Sequence, residues 1–223
     1  MQHRIAFELS VEHGLCLGMH LPPASEGADV LAHPSLRPEE RALAARMSAV
    51  RRRTWVGGRV AMRLALERCM LDVPSVLVDD RGAPVLPAGV SGSISHKETI
   101  AVALVAREST ARVGVDIERE GERTLDISSK VLTDDELVEV AGFSPAARDR
   151  EVLLRFSAKE SIYKAIDPFV RRFVGFKEVA VSPRPDGTAE VRDHLPEPTR
   201  FAIEVRWQRL QGYVLTTARV EVR

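Results

Sequence analysis

Two carboxylates stand two residues apart in the apolar run Val113-Gly114-Val115-Asp116-Ile117-Glu118, where residue type and spacing first suggest chemistry. A strand alternates sides with a period of two, so Asp116 and Glu118 point one way while Val115 and Ile117 point the other. Like charges side by side repel, and a hard divalent cation relieves the repulsion. Magnesium takes one or two carboxylates and completes its shell with water and phosphate oxygens. Taken alone, the pair reads first as a strand end reaching solvent; the metal reading needs partners.

Such partners are offered by Phe156-Ser157-Ala158-Lys159-Glu160-Ser161-Ile162-Tyr163-Lys164-Ala165, a helical segment in which Glu160 and Lys164 share one face. Leu154, Ala158, Ile162 and Ala165 form its apolar stripe, so periodicity by itself makes Glu160 and Lys164 a solvated pair. If that face looks into a cleft instead, Glu160 becomes a third metal ligand or a base, and Lys164 a point charge for phosphate. Ser95 and His96, in Gly92-Ser93-Ile94-Ser95-His96-Lys97, could hydrogen-bond phosphate at a strand end. As neighbours on a strand they face opposite ways, which argues against a nucleophile–base pair. Arg51-Arg52-Arg53, Arg59 and Arg63 load one helix with charge, and Arg51, Arg59 and Arg63 fall on one broad face. Gly57-Gly58 before Arg59 would let a ligand approach closely. The plainer reading is a solvated charged face.

The elements that must carry these residues are legible from periodicity and turn signals. Arg37 to Leu71 reads as one helix, opened by Pro38-Glu39-Glu40 and closed by Asp72-Val73-Pro74. Val76 to Val78, a turn at Asp80-Arg81-Gly82, short strands through Val85 and Ile94, Ile100 to Val105, and Val113 to Glu118 follow. Ala146 to Ile166 reads as a second helix. Strands near Glu178 to Val181, Ala189 to Val191, Phe201 to Trp207 and Tyr213 to Val220 come after it. The two stretches repeat one loose order of helix and hairpins, which fits an internal duplication. The expected fold is therefore α+β: two pseudo-symmetric halves, 1–112 and 113–223, each a helix packed on a small, mostly antiparallel sheet. The functional site is expected at their interface.

Thirty-two basic and thirty-two acidic side chains cancel, so no global field recruits nucleic acid. Nothing approaches a membrane span and no leader is apparent, so a soluble cytoplasmic protein is expected. Cys16 and Cys69, lacking CxxC spacing, read as reduced core thiols.

In order, Arg-Arg-Arg-Thr-Trp-Val-Gly-Gly-Arg, Arg-Gly-Ala-Pro, Gly-Ser-Ile-Ser-His, Gly-Val-Asp-Ile-Glu and Phe-Ser-Ala-Lys-Glu-Ser-Ile-Tyr-Lys-Ala resemble the 4′-phosphopantetheinyl transferases of the surfactin and enterobactin type, the enterobactin branch most. The resemblance runs from about Arg51 to Ile166, and family members of this type have two similar halves in one chain. It implies transfer of the 4′-phosphopantetheine arm of coenzyme A to a serine of an apo carrier protein (peptidyl, aryl or acyl), releasing adenosine 3′,5′-bisphosphate. It implies Asp116, Glu118 and Glu160 as magnesium ligands, with Asp116 also facing the coenzyme A diphosphate. Arg51, Arg59 and His96 would grip the 3′-phosphate and its neighbours, with Ser95 and Arg81 helping. Lys164 would contact the diphosphate, and Glu160 would take the serine proton. Where some relatives carry a cation before the Pro of the Gly-x-Pro turn, this chain has Ala83, and Arg81 is the candidate replacement.

The enterobactin-like pattern implies secondary metabolism: nonribosomal peptides, polyketides, siderophores or antibiotics. Two fused halves remove the need for a dimer. Two other classes remain open at this point, a non-catalytic binder of coenzyme A or carrier proteins and an unrelated metal-dependent hydrolase. For carrier docking, the candidates are Leu125 to Gly142, which includes Asp134-Asp135-Glu136, and Phe169 to Phe176. Arg171 and Arg172 suit an acidic partner better than the acidic run does.

Overall fold

The computed structural model describes residues 4–23, 30–121, 126–195 and 200–223. The chain divides into two compact units, Met1–Ser109 and Thr110–Arg223.

In the first unit β1 (Arg4–Val11) and β2 (Gly14–His20) form a hairpin, followed by α1 (Pro38–Ala45), α2 (Ala49–Arg68), β3 (Val90–His96) and β4 (Ile100–Arg107). The sheet runs β1-β2-β4-β3, every neighbour antiparallel. Val56, Val60 and Leu66 of α2 join Leu17, Met19, Ala103 and Val105 of the sheet in one core. The Gly57-Gly58 pair serves this packing, not a ligand. A Cβ at Gly57 would stand 2.0 Å from the Leu21 side chain, and one at Gly58 would stand 2.7 Å from Ile94.

Two features differ from the sequence expectation here. The single helix over Arg37 to Leu71 is two, broken at Arg46–Ser48. Arg52 secures the break by donating to the Ala44, Ala45 and Met47 carbonyls at the end of α1 and in the turn after it. The β1–β2 hairpin was not expected, and Val76 to Val85 contributes only an isolated bridge between Val78 and Pro84.

The second unit comprises β5 (Arg112–Arg119), α3 (Ser128–Val131), α4 (Asp134–Val140), α5 (Pro145–Val170), β6 (Val179–Pro183), β7 (Ala189–Asp193), β8 (Phe201–Leu210) and β9 (Tyr213–Val222). The main sheet is β5-β9-β8, with β6-β7 a separate pair. Gln211 and Gly212, both at positive φ (50° and 82°), join β8 to β9 in the two-residue turn whose twist suits a hairpin. Helix α5 lies against β5 and β9. A Cβ on Gly114 would sit 1.8 Å from the Ser161 carbonyl oxygen, so only glycine permits this approach of helix to strand. The helix α5 and the four strands after it match expectation; α3 and α4 did not announce themselves. Both cysteines are free thiols.

The expectation of two like halves gains a specific internal counterpart. In the first unit the buried Glu40 of α1 accepts the Arg37 N–H (2.9 Å), the Val76 N–H (2.6 Å) and the Arg63 guanidinium (2.6 Å). In the second, the buried Glu136 of α4 accepts the Thr133 N–H (2.7 Å), the Val181 N–H (2.7 Å) and the Lys159 ammonium (2.6 Å). Glutamate and cation are 23 residues apart in both. Each clamp ties a short helix, the long helix and a following extended segment through one buried carboxylate. Such a group is costly to bury unless every lone pair is used.

Candidate active site

On β5 the residues facing α5 are Gly114, Asp116 and Glu118. Asp116 and Glu118 are 4% and 7% exposed, so neither is the solvated strand end that composition alone suggests. Both Asp116 oxygens are engaged by α5: Ser157 Oγ donates to Oδ2 (2.9 Å) and Lys164 Nζ to Oδ1 (2.8 Å). Lys164 also donates to the Val115 carbonyl (3.0 Å). Thr216, opposite Asp116 in the β5–β9 register, donates to the Ser157 carbonyl (2.8 Å), which leaves the Ser157 hydroxyl proton for Asp116. The polar face of α5 is therefore turned to β5 and partly buried, and the solvated-pair reading of Lys164 does not hold.

Glu160 is half-buried, one turn after Ser157 and one before Lys164, on the same stripe of α5. Its charge contributes to raising the Tyr163 phenol above its ordinary range, second to burial itself. Lys159, its neighbour, points the other way and is fully enclosed. Besides Glu136 it donates to the carbonyls of Val131 (2.7 Å) and Phe176 (2.9 Å). Burial lowers its pKa while Glu136 opposes the fall. The Lys-Glu-x-x-x-Lys segment thus splits by helical period, with Lys159 in the core and Lys164 at the strand.

Among the described residues no three of His, Cys, Asp or Glu are grouped so as to hold a metal by themselves. The donors on β5 are hard oxygens in a buried setting, which is the chemistry magnesium prefers when substrate oxygens complete its shell. Asp116 and Glu118 fit such an ion.

In the first unit the arginine cluster separates. Arg51 is exposed in the first turn of α2. Arg63 is committed to Glu40 and to the Val73 carbonyl (2.7 Å), so its place is structural. Arg59 is 5% exposed, with its guanidinium 4.4 Å from the Trp55 ring centre and its Nε buried without an acceptor among the described residues. Burial lowers its pKa to about 10, against a raising contribution from the Glu40 charge. Ser95 is buried and His96 exposed at the end of β3, on opposite faces as strand geometry requires. Arg81 is exposed in a turn where Asp79 accepts the Arg81 and Ala83 N–H groups, both at 2.9 Å.

Of the docking candidates, Leu125 lies outside the described residues. Glu136 of the acidic run is a core residue, and Arg172 is paired with Glu178 (2.6 and 3.0 Å). Phe173 is exposed. Sequence reasoning missed Ser157, Thr216 and Glu136. Only Ser157 carried a signal, sitting two turns before Lys164 on the same stripe.

Residues 39–106 match the family described as 4′-phosphopantetheinyl transferase N-terminal domain, and residues 112–218 match the 4′-phosphopantetheinyl transferase superfamily. Among curated relatives, 4′-phosphopantetheinyl transferase Npt of Nocardia iowensis is 31% identical, covering 88% of this chain and 96% of that protein. 4′-Phosphopantetheinyl transferase PptT of Mycobacterium tuberculosis is 30% identical over 80% of this chain and 83% of its own length. Enterobactin synthase component D of Salmonella austin is 36% identical over 49% of this chain and 45% of that protein. No described helix is long and apolar enough to cross a membrane. Carrying both domains of the family in order along its length, the chain belongs to the 4′-phosphopantetheinyl transferases.

Proposed function

We propose that the chain transfers the 4′-phosphopantetheine arm of coenzyme A to the serine hydroxyl of an apo carrier protein and releases adenosine 3′,5′-bisphosphate. The observation that carries the site assignment is Asp116, a buried carboxylate on β5 oriented at both oxygens by Ser157 and Lys164 of α5. Asp116 and Glu118, with Glu160, would hold magnesium, which supplies charge neutralisation on the diphosphate when bound.

The residues of the chain supply positioning, a proton acceptor and fixed charge. Glu160 accepts the serine proton, directly or through one water, as the serine oxygen bonds to the β-phosphorus and the bridging oxygen leaves with adenosine bisphosphate. Lys164, partly exposed beside Asp116, is the cation placed to contact the diphosphate. Arg51, Arg59, Arg81, Ser95 and His96 of the first unit take the 3′-phosphate and adenosine end. Arg59 is the most deeply buried cation of these, and its Nε has no acceptor among the described residues. Arg171 and the exposed Phe173 are the carrier-docking candidates. The same reading places the chain in the cytoplasm, with magnesium as its metal and secondary metabolism as its setting.

The test is the intact mass of an apo peptidyl carrier protein after incubation with the chain, magnesium and coenzyme A. The expected gain is about 340 Da, the mass of the transferred arm, absent with Asp116→Ala and after chelation. Tight coenzyme A binding with no gain on several carriers would leave a non-catalytic binder.

A further inference from the structure

The duplicated clamp allows one unit to be read against the other. One turn before Lys159, Arg155 is buried to 4% exposure and fully satisfied. It donates to the Val181 carbonyl (3.0 Å), to Glu139 (2.7 Å) and to Glu151. One turn before Arg63 stands Arg59, the same residue type at the same register, and buried as deeply. The two carboxylates do not recur. Where Glu151 precedes Arg155 by one turn, Trp55 precedes Arg59; where Glu139 follows the clamp glutamate, Leu43 does.

At Arg59 an aromatic ring stands in place of those carboxylates. Its guanidinium lies over the Trp55 ring, and its Nε, like that of Arg63, is buried without an acceptor among the described residues. Glu40, the carboxylate whose charge reaches it, is already used by Arg63, Arg37 and Val76. An indole face attracts and orients a guanidinium but leaves its N–H donors and its net charge uncompensated. A buried cation prepared in this way gains most from an anion arriving from outside, because desolvation has already been met in folding. The ring also fills the volume in which an internal counter-ion would stand, since Trp55 packs on the α2 core.

We infer that Trp55 is the positioning residue of the Arg59 site and sets its selectivity for a phosphate monoester, by occupying the place where the second unit has the arginine's own carboxylate. This rests on the assignment of Arg59 to the 3′-phosphate of coenzyme A.

The experiment compares binding of coenzyme A and of dephospho-coenzyme A, which lacks only that phosphate, by calorimetry on the full chain. The wild type is expected to prefer coenzyme A by about 10- to 100-fold, the value of a charge-assisted phosphate contact. Trp55→Glu, which recreates the Glu151–Arg155 arrangement, should bring the ratio close to one while dephospho-coenzyme A affinity stays unchanged. Trp55→Phe should keep most of the preference. Trp55→Leu, which adds no charge and decides the matter if the glutamate variant melts early, should lower the ratio by about 2- to 10-fold. A wild-type ratio in folded Trp55→Leu and Trp55→Glu overturns the role of Trp55 alone. A wild type that does not distinguish the two ligands overturns the Arg59 assignment with it, and leaves the transfer reaction to its own mass test.

Discussion

Lys164 reaches across from α5 to donate to Asp116 at 2.8 Å, and so a cation and a carboxylate that sequence places far apart form one element of the site. Asp116 therefore anchors Lys164, and under the proposed function it would also hold the metal. Asp116→Asn keeps the shape and an acceptor oxygen but removes the charge. It is expected to lower transfer at least about 100-fold, the scale of losing a fixed electrostatic group at a reacting centre. Lys164→Met should act on the diphosphate contact and leave metal affinity intact. Transfer rates and magnesium titrations on both variants check this; equal metal dependence in wild type and Asp116→Asn would remove Asp116 from the metal.

The paired clamps predict stability effects in places where the motif invites a functional reading. Lys159 and Glu136 are both fully enclosed, and removing either partner leaves an uncompensated buried charge. Lys159→Met should destabilise by about 3–5 kcal/mol. Arg63→Met should do the same in the first unit by exposing the demand of Glu40. Urea denaturation measures both. A fall in coenzyme A affinity with unchanged stability in Arg63→Met would instead make Arg63 a ligand contact.

How far the sequence led depends on the range of each signal. Strand period placed Asp116 and Glu118 on one side and separated Ser95 from His96, because alternation is a local property. The burial of Lys159 was not read from the sequence, because its carboxylate lies 23 residues away and no local pattern points to it. The same holds for Thr216, brought opposite Asp116 only by the β5–β9 register. The arginine-rich face of α2 was misjudged as a unit, since burial and partners distinguish Arg59 from Arg63, and both are tertiary properties. Phe7, Leu9 and Val11 do alternate in β1, so that strand was legible even though no turn signal as strong as Asn-Gly marks its hairpin.

Thiol chemistry should separate the two cysteines. Burial pushes Cys16 up to about 12, while Cys69 is half-buried and raised less, with Arg107 opposing the shift. Only Cys69 should react with an aromatic disulfide reagent in the native chain. Because the folded Cys16 holds its proton above the ordinary value of 9.0, its contribution to stability is complete below about pH 9 and is lost as pH rises towards 12. Each pH unit in that window removes about 1.4 kcal/mol. Cys16→Ala should flatten the alkaline stability profile relative to wild type; parallel profiles would show that the thiol ionises alike in both states.

Gly114 is the position where the fold and the site meet most directly. A methyl group there would lie 1.8 Å from the Ser161 oxygen and 2.9 Å from its carbon, both backbone atoms that no rotamer change can move aside. Helix α5 would have to lift from β5, and Ser157 and Lys164 would lift with it from Asp116. Gly114→Ala is therefore expected to cost about 1–3 kcal/mol of stability, the usual range for overpacking. Transfer activity should fall by more than the folded fraction does, measured at a temperature where the variant remains folded. Gly142→Ala is the control, since its added carbon meets nothing within 4 Å and its backbone is not left-handed. Should Gly114→Ala lose stability but keep its full rate per folded molecule, the hydrogen bonds from α5 to Asp116 would not be what prepares that carboxylate.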